Sequence, residues 1–257
     1  TATNVAVTRD ALRRPLHDLR ISVLDQCNFR CPYCMPEDEF HEDSAFLTRK
    51  QRLTYDEILK IAGVAAGLGV SKLRLTGGEP LLDKNLPELV RGLATIPGVE
   101  DLALTTNGTL LGSAAQALAD AGLHRVTISL DSLDEEENDA IRGRNCFKLA
   151  LRGMRYLAEA GFPTHLTMVR GWDEDDDPAM ETKALAFMRE HGVPNPQVKF
   201  LPGFLMGELA VNEREYHPNE RVTEQCFDNF PITNLQCASS RMVTAKGVHV
   251  CPNLRQF

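Results

Sequence analysis

Apolar residues recur along this chain with two alternating periods. Short leucine- and β-branched-rich runs are followed by longer segments with apolar positions three and four apart. LRISVLD (19–25) predicts a first strand. DEILKIAGVAAGLG (56–69) predicts a helix with Ile58, Ile61, Ala65 and Leu68 on roughly one face and Gly69 as its stop. KLRLTGGEP (72–80) predicts a strand running into a Gly-Gly turn, and LPELVRGLATI (86–96) a helix with Pro87 near its start. EDLALTTNG (100–108) and RVTISLDS (125–132) predict strands, with SAAQALADAG (113–122) as the helix between them. Helical pattern follows from Glu135 to about Ala160, then strand THLTMVRGW (164–172), helix 178–192 and strand PQVKFLPG (196–203).

Six such alternations predict an α/β fold with a parallel sheet and outer helices. Periodicity leaves open whether the sheet curls into a partial (β/α)6 barrel or lies flat and doubly wound. The alternation stops at Phe204, so residues 16–203 form the expected main domain and 204–257 a C-terminal extension. Within it TAKGVHVCP (244–252) predicts a short hairpin turning at Lys246-Gly247. Unusual polar or Gly-rich stretches sit at strand C-terminal ends: cysteines after the first strand, TGGEP after the second, TTNG after the third, SLDS after the fourth. Ligand sites of parallel α/β folds gather at that end.

Composition narrows the classes. The chain has 257 residues and a formal net charge of −8, a poor match to the basic surface that nucleic-acid binding needs. No stretch approaches the ~18 apolar residues of a membrane span, and residues 1–20 carry no signal-peptide core. A cytoplasmic protein is expected. The acidic run DEDDDP (173–178) reads as a solvated loop and helix start, and Trp172 at its edge as a packing residue.

Seven cysteines are present, and three of them fall in CNFRCPYC (27–34). That bunching points to metal in a reducing compartment rather than to a disulfide framework. Thiolates hold zinc and iron–sulfur clusters. Three ligands on a four-iron cubane leave one iron open, which marks a metal that does chemistry. The competing reading is a zinc-stabilised binding module with His41 or His17 as fourth ligand. Gly77-Gly78 alone would be a tight turn, and Arg20 and Arg74 alone surface arginines.

CNFRCPYC resembles the C-x3-C-x2-C signature of radical S-adenosylmethionine (SAM) enzymes, and GGEP, TTNG and SLD resemble segments lining their SAM pocket. DLRISVLDQCNFRCPYCMPE, LRLTGGEPLL, LALTTNGTLL and VTISLDSLD look most like the GTP 3′,8-cyclase subfamily of molybdenum-cofactor synthesis. The resemblance implies a [4Fe–4S] cluster on Cys27, Cys31 and Cys34, with SAM chelating the fourth iron. It implies SAM contacts from Tyr33, Gly77, Gly78, Glu79, Pro80, Thr106, Asn107 and Ser129. Substrate contacts are implied for Arg20, Arg74, His165, Lys199 and Arg241. His165 stands where the cyclases have lysine and Lys199 where they have arginine. Cys237-x13-Cys251 matches two of the three cysteines of their second cluster, and Cys226 is the nearest third. This tail is also similar to SPASM/twitch extensions; an auxiliary cluster is implied, with ordinary buried cysteines as the alternative and ligands past Phe257 left open. Cys146 fits no pattern. The implied partners are a small-molecule or peptide substrate and an electron donor such as flavodoxin or ferredoxin, with neither membrane nor nucleic acid.

Overall fold

The computed structural model describes residues 8–11, 13–37, 40, 44–170, 179–202 and 239–250. Eight strands form one sheet in the order β6-β5-β4-β3-β2-β1-β7-β8. They are β1 (Asp18–Ser22), β2 (Lys72–Thr76), β3 (Asp101–Thr106), β4 (Arg125–Ser129), β5 (Thr164–Arg170), β6 (Gln197–Pro202), β7 (Ser240–Thr244) and β8 (Gly247–His249). The intervening helices are α1 (Tyr55–Gly67), α2 (Leu86–Ala94), α3 (Ala115–Asp120), α4 (Glu135–Arg142), α5 (Cys146–Glu159) and α6 (Met180–Glu190).

From β1 to β6 each strand pairs in parallel with the next in sequence. A doubly wound sheet reverses its order within its run of helix-linked strands, and β1 to β6 do not. Right-handed crossovers in one direction put all helices on one face. The other face is left to line a lumen, in a barrel that stays open. The side chains sort accordingly. Leu19, Ile21, Leu73, Leu75, Leu102, Leu104, Val126, Ile128, Leu166 and Met168 are buried in the apolar core under the helices. The alternate positions of the same strands carry Arg20, Ser22, Lys72, Arg74, Thr105, Arg125, Thr127, Ser129, His165 and Thr167. A period of two thus yields a dry outer layer and a polar inner one.

The helical stretch expected from Glu135 to Ala160 is present as two helices, because Gly143 (φ 114°) and Asn145 (φ 65°) leave the right-handed region between α4 and α5. Two expectations are corrected. Leu68 is not on the buried face of α1; it is 42% exposed, past the helix end that Gly69 (φ 105°) turns away. The hairpin spans β7 and β8 and turns at Ala245-Lys246, with Thr244 opposite Gly247. Its first strand pairs in parallel with β1, Asp18 opposite Ser240, so part of the expected extension lies in the main sheet. The acidic run, Trp172 and His41 lie outside the described residues.

One helix contact bears on the site. A Cβ on Gly153 of α5 would stand 2.4 Å from the carbonyl oxygen of Gly108, just beyond β3. Backbone cannot yield as a side-chain tip does, so Gly153→Ala should destabilise the protein by ~1–3 kcal/mol, the usual range for overpacking. Chemical denaturation checks this; an unchanged midpoint would show that α5 does not rest on that loop.

Candidate active site: the cysteine turn and its supports

The cysteine turn leaves β1 at the C-terminal end of the sheet. Its amides fold back on themselves: Cys34 N–H and Met35 N–H both donate to the Cys31 carbonyl at 2.9 Å. Arg30, inside the motif, donates to the carbonyls of Cys27 (3.0 Å), Phe29 (2.9 Å) and Phe40, and its guanidinium lies 5.5 Å from the Phe46 ring centre. Cys27, Cys31 and Cys34 are in no disulfide, Cys31 buried and the others half-buried.

Three neighbours hold this turn. The first is the exit of β2. Gly78 N–H donates to Leu24 O at 2.8 Å and Glu79 N–H to Gln26 O at 2.9 Å. A Cβ on Gly77 would lie 2.2 Å from Leu24 O, and one on Gly78 2.1 Å from Gln26 O. The two glycines therefore serve backbone-to-backbone contact with the cysteine turn itself. The second support is the exit of β3. Asn107 Nδ2 donates to Asn28 Oδ1 at 2.8 Å, and Asn28 Nδ2 to Thr109 Oγ1 at 3.2 Å. The third is the exit of β4, where the Tyr33 hydroxyl donates to Asp131 Oδ2 at 2.7 Å.

Glu79 ties the first support to the second. It is 1% exposed, and its carboxylate accepts from Leu81 N–H (3.0 Å), the Thr106 hydroxyl (2.7 Å) and Asn107 N–H (2.8 Å). Burial pushes its pKa up, while those bonds and the charge of Arg142 pull it down. Pro80 is buried at the start of a short 3-10 turn, Pro80–Leu82, that Glu79 caps. Thr106 ends β3 and is buried; Ser129 ends β4 and is half-buried. All the residues expected to meet SAM thus stand at neighbouring strand ends around the cysteine turn.

The expected substrate residues separate. Arg20 and Arg74 are register partners on the lumen face. Arg74 donates to Thr105 Oγ1 (2.9 Å) and Thr127 Oγ1 (3.3 Å). Burial first, then the charges of Arg125 and Arg20, push its pKa down to about 10. Lys199 lies opposite Thr167 on the lumen face, and its pKa is lowered by burial and by Arg20, Arg74 and Lys72. Burial and the charge of Arg125, 3.4 Å away, hold His165 below the usual histidine range. Arg241 is paired with Leu19, whose side chain is in the helix-covered core, one position off the row of Arg20 and Arg74. Cys226, Cys237 and Cys251 lie outside the described residues.

The sequence reading missed Arg125, Lys72, Asp131, Arg142 and Asn28. Arg125 is forked onto Asp101 at 2.8 and 2.6 Å, and Lys72 is 3.5 Å from Asp18. Arg142 meets Asp131 at 2.6 Å and the Tyr33 hydroxyl at 2.6 Å. The alternating polar positions on the strands carried a signal for the first two. Arg142 carried none, since it closes a helix with no apolar buried residue.

A zinc site on this turn would need a fourth ligand, and of the two expected, His41 lies outside the described residues. Among the described residues no three His, Cys, Asp or Glu side chains converge on a single ion's position. His17 is at the far end of β1, bonded to Asp18 at 2.6 Å, a strand length or roughly 16 Å from the turn. A cubane asks for something else: thiolates on separate irons, on one turn, none consumed in a disulfide. The three cysteines, on one turn and in no disulfide, suit that requirement. Burial pushes the Cys31 thiol up, and even with the Arg142 charge pulling it down it stands at about 11.

The family model for the radical SAM superfamily matches residues 21–200, most of the chain. The chain belongs to the radical SAM superfamily. It is 48% identical over 174 residues to a GTP 3′,8-cyclase of Staphylococcus haemolyticus, covering 67% of this chain and 51% of that protein. It is 46% identical over 169 residues to the GTP 3′,8-cyclase of Staphylococcus saprophyticus, covering 65% and 50%. The chain spans about half the length of these relatives. Among solved structures, Streptococcus suis SuiB bound to SAM superposes with a TM-score of 0.63 at 14% identity, over 95% of this chain and 62% of that one. HydG, a maturase of the [FeFe]-hydrogenase, gives 0.60 at 14% over 88% and 51%. These likenesses show the shared fold. The radical SAM family implies a [4Fe–4S] cluster and SAM, which the three cysteines and surrounding strand ends suit. Among the described residues no helix is long and apolar enough to cross a membrane.

Gly78→Ala should keep the turn from docking and leave reconstituted protein with well under four irons per chain. Gly63→Ala, in open space on α1, is the control and should load normally. Full iron loading by Gly78→Ala would contradict the role given to the backbone contact.

Proposed function

We propose that this chain is the SAM-cleaving barrel of a radical SAM enzyme acting on an anionic small molecule, and that the molecule is GTP. When bound, the cluster and SAM supply reductive cleavage to methionine and a 5′-deoxyadenosyl radical, which takes a hydrogen atom from the substrate. The protein's own part is to orient both ligands and to exclude water.

The lumen carries this reading. Arg20, Lys72, Arg74, Arg125 and Lys199 act on one another there, while Asp18 and Asp101 are the carboxylates that oppose them. Lys72 with Asp18 and Arg125 with Asp101 form pairs at the start of their strands. Arg20, Arg74 and Lys199 add further positive charge to the same lumen. Guanidinium forks suit phosphate oxygens, and a lysine meets them as a point charge. A triphosphate among those cations would leave the rest of a nucleotide near the cysteine turn. The name GTP 3′,8-cyclase on relatives almost half identical supports GTP in particular. A peptide substrate has only the shared fold behind it: SuiB was solved with its precursor peptide SuiA, at 14% identity.

Two further parts belong to the proposal. The electron comes from a donor such as flavodoxin or ferredoxin. Cys226, Cys237 and Cys251 hold an auxiliary cluster.

Formation of 5′-deoxyadenosine by anaerobically reconstituted, dithionite-reduced protein with SAM should rise strongly when GTP is added. Arg74→Gln should raise the GTP concentration needed by about 10- to 100-fold, the effect of one charge-assisted contact of ~1.5–3 kcal/mol. Cys31→Ala should cleave no SAM with or without GTP. Cleavage indifferent to GTP would reject GTP as substrate and leave the radical SAM assignment standing. Cys237→Ala should lose about one cluster's iron and still cleave SAM; unchanged iron would remove the auxiliary cluster.

A further inference from the structure

His165 stands among cations, and one contact fixes its charge state. It lies on the lumen face of β5, opposite Thr127 of β4 and Gln197 of β6. Its Nδ1 is 3.4 Å from Nη1 of Arg125. Arg125 aims its other donors at Asp101, Nε to Oδ1 at 2.8 Å and Nη2 to Oδ2 at 2.6 Å. A guanidinium has donors and no acceptor. Nδ1 therefore meets it with a lone pair, and the ring is neutral with its one proton on Nε2. A protonated ring would set two donors face to face. The surrounding charges act the same way. Arg74 reaches over from β2 and donates to Thr127 Oγ1, on the register partner of His165, at 3.3 Å. Lys199 stands on β6 two positions past Gln197. Arg20 and Asp18 of β1 lie beyond β2. Burial, then Arg125 and Arg74, disfavour a second proton on the ring, with Lys72 adding to them; Asp101 is the carboxylate that opposes them.

We propose that His165 is a proton-linked contact for the anionic group of the substrate: as the anion arrives among Arg74, Arg125 and Lys199, Nδ1 takes a proton from solvent, and the ring and Arg125 Nη1 both turn to the anion as donors. This rests on the reading that the lumen binds an anion. The step moves one proton and no electrons. Nδ1–H and Nη1–H cannot face one another, so the contact between His165 and Arg125 breaks while the fork onto Asp101 stays. An anion offsets the charges that keep the ring neutral. By linkage, an anion that raises the ring's pKa binds more tightly as pH falls. The gain begins below the pKa of the bound state and levels off below the lower pKa of the free state. Histidine is the side chain suited to this, because an arginine in its place stays charged across the neutral range.

The test is isothermal titration calorimetry of GTP into the anaerobically reconstituted full chain with its cluster oxidised, from about pH 5 to 8. Paired buffers of different ionisation heat read the protons taken up per GTP bound. His165→Gln keeps a donor and cannot take the proton. The γ-phosphate's own proton is common to both proteins and cancels in the difference. Wild type should take up more protons than His165→Gln, by as much as about one per GTP. Its advantage in affinity should grow as pH falls, by about tenfold for each unit by which the anion raises the ring's pKa. A merely structural His165 would weaken binding equally at every pH and leave proton uptake unchanged, and that result overturns the proposal. If His165→Gln does not load iron, Arg125→Gln combined with Asp101→Asn decides. Without the guanidinium the ring gains its proton at higher pH before GTP binds, so uptake at the acid end of the range should fall. Unchanged uptake there overturns the proposal. Wild-type protein that binds no GTP at any pH would overturn the anionic-substrate reading, and the proposal with it.

Discussion

The site depends on a contact too close for any side chain. The exits of β1 and β2 meet backbone to backbone, Gly78 N–H to Leu24 O at 2.8 Å and Glu79 N–H to Gln26 O at 2.9 Å. The contact continues the strand pairing past the strands and fixes where the cysteine turn begins. Glu79 then carries the same rigidity to β3, because its buried carboxylate takes two amides and a hydroxyl. Asn28 and Asn107 return from β3 to the turn. TGGEP, TTNG and CNFRCPYC are therefore one hydrogen-bonded object, and SLDS joins it through Asp131.

The polar interior has a cost that the fold offsets locally. A buried charge is tolerated only when paired and hydrogen-bonded. Asp131 and Arg142 satisfy one another and Tyr33, and breaking such a pair by removing one partner costs about 3–5 kcal/mol. The lumen is handled differently. Asp101 and Asp18 restrain Arg125 and Lys72, whereas Arg74, held by two threonine hydroxyls, keeps a charge that burial and its neighbours disfavour. A lumen where, among the described residues, five cations face two carboxylates suits an anion. Stability alone would have filled the cavity with apolar side chains, as the layered interiors of closed barrels do.

Much of this was legible in the sequence. Strands with leucines at alternate positions stood out because one face had to be dry, and the Gly-Gly and cysteine motifs stood out because few backbones tolerate them. What was hidden is long-range. Arg142 reaches Tyr33 across 109 positions from a helix whose buried residues are polar, so no apolar periodicity marks it. The pairing of β7 with β1 adds no local pattern to either strand. Glu79 was legible as a residue that matters, but its three internal donors were not. Arg125 was visible only as one polar position in an alternating strand; its fork onto Asp101 needed the register of β3 against β4.

The account rests on a cluster with one iron left open by a three-cysteine turn. Electron paramagnetic resonance of the reduced protein, recorded with and without SAM, tests that most directly. A [4Fe–4S] signal whose g-values change on adding SAM is the predicted result, since SAM takes the open position. A signal identical in both samples, from protein shown to bind SAM, would contradict the account.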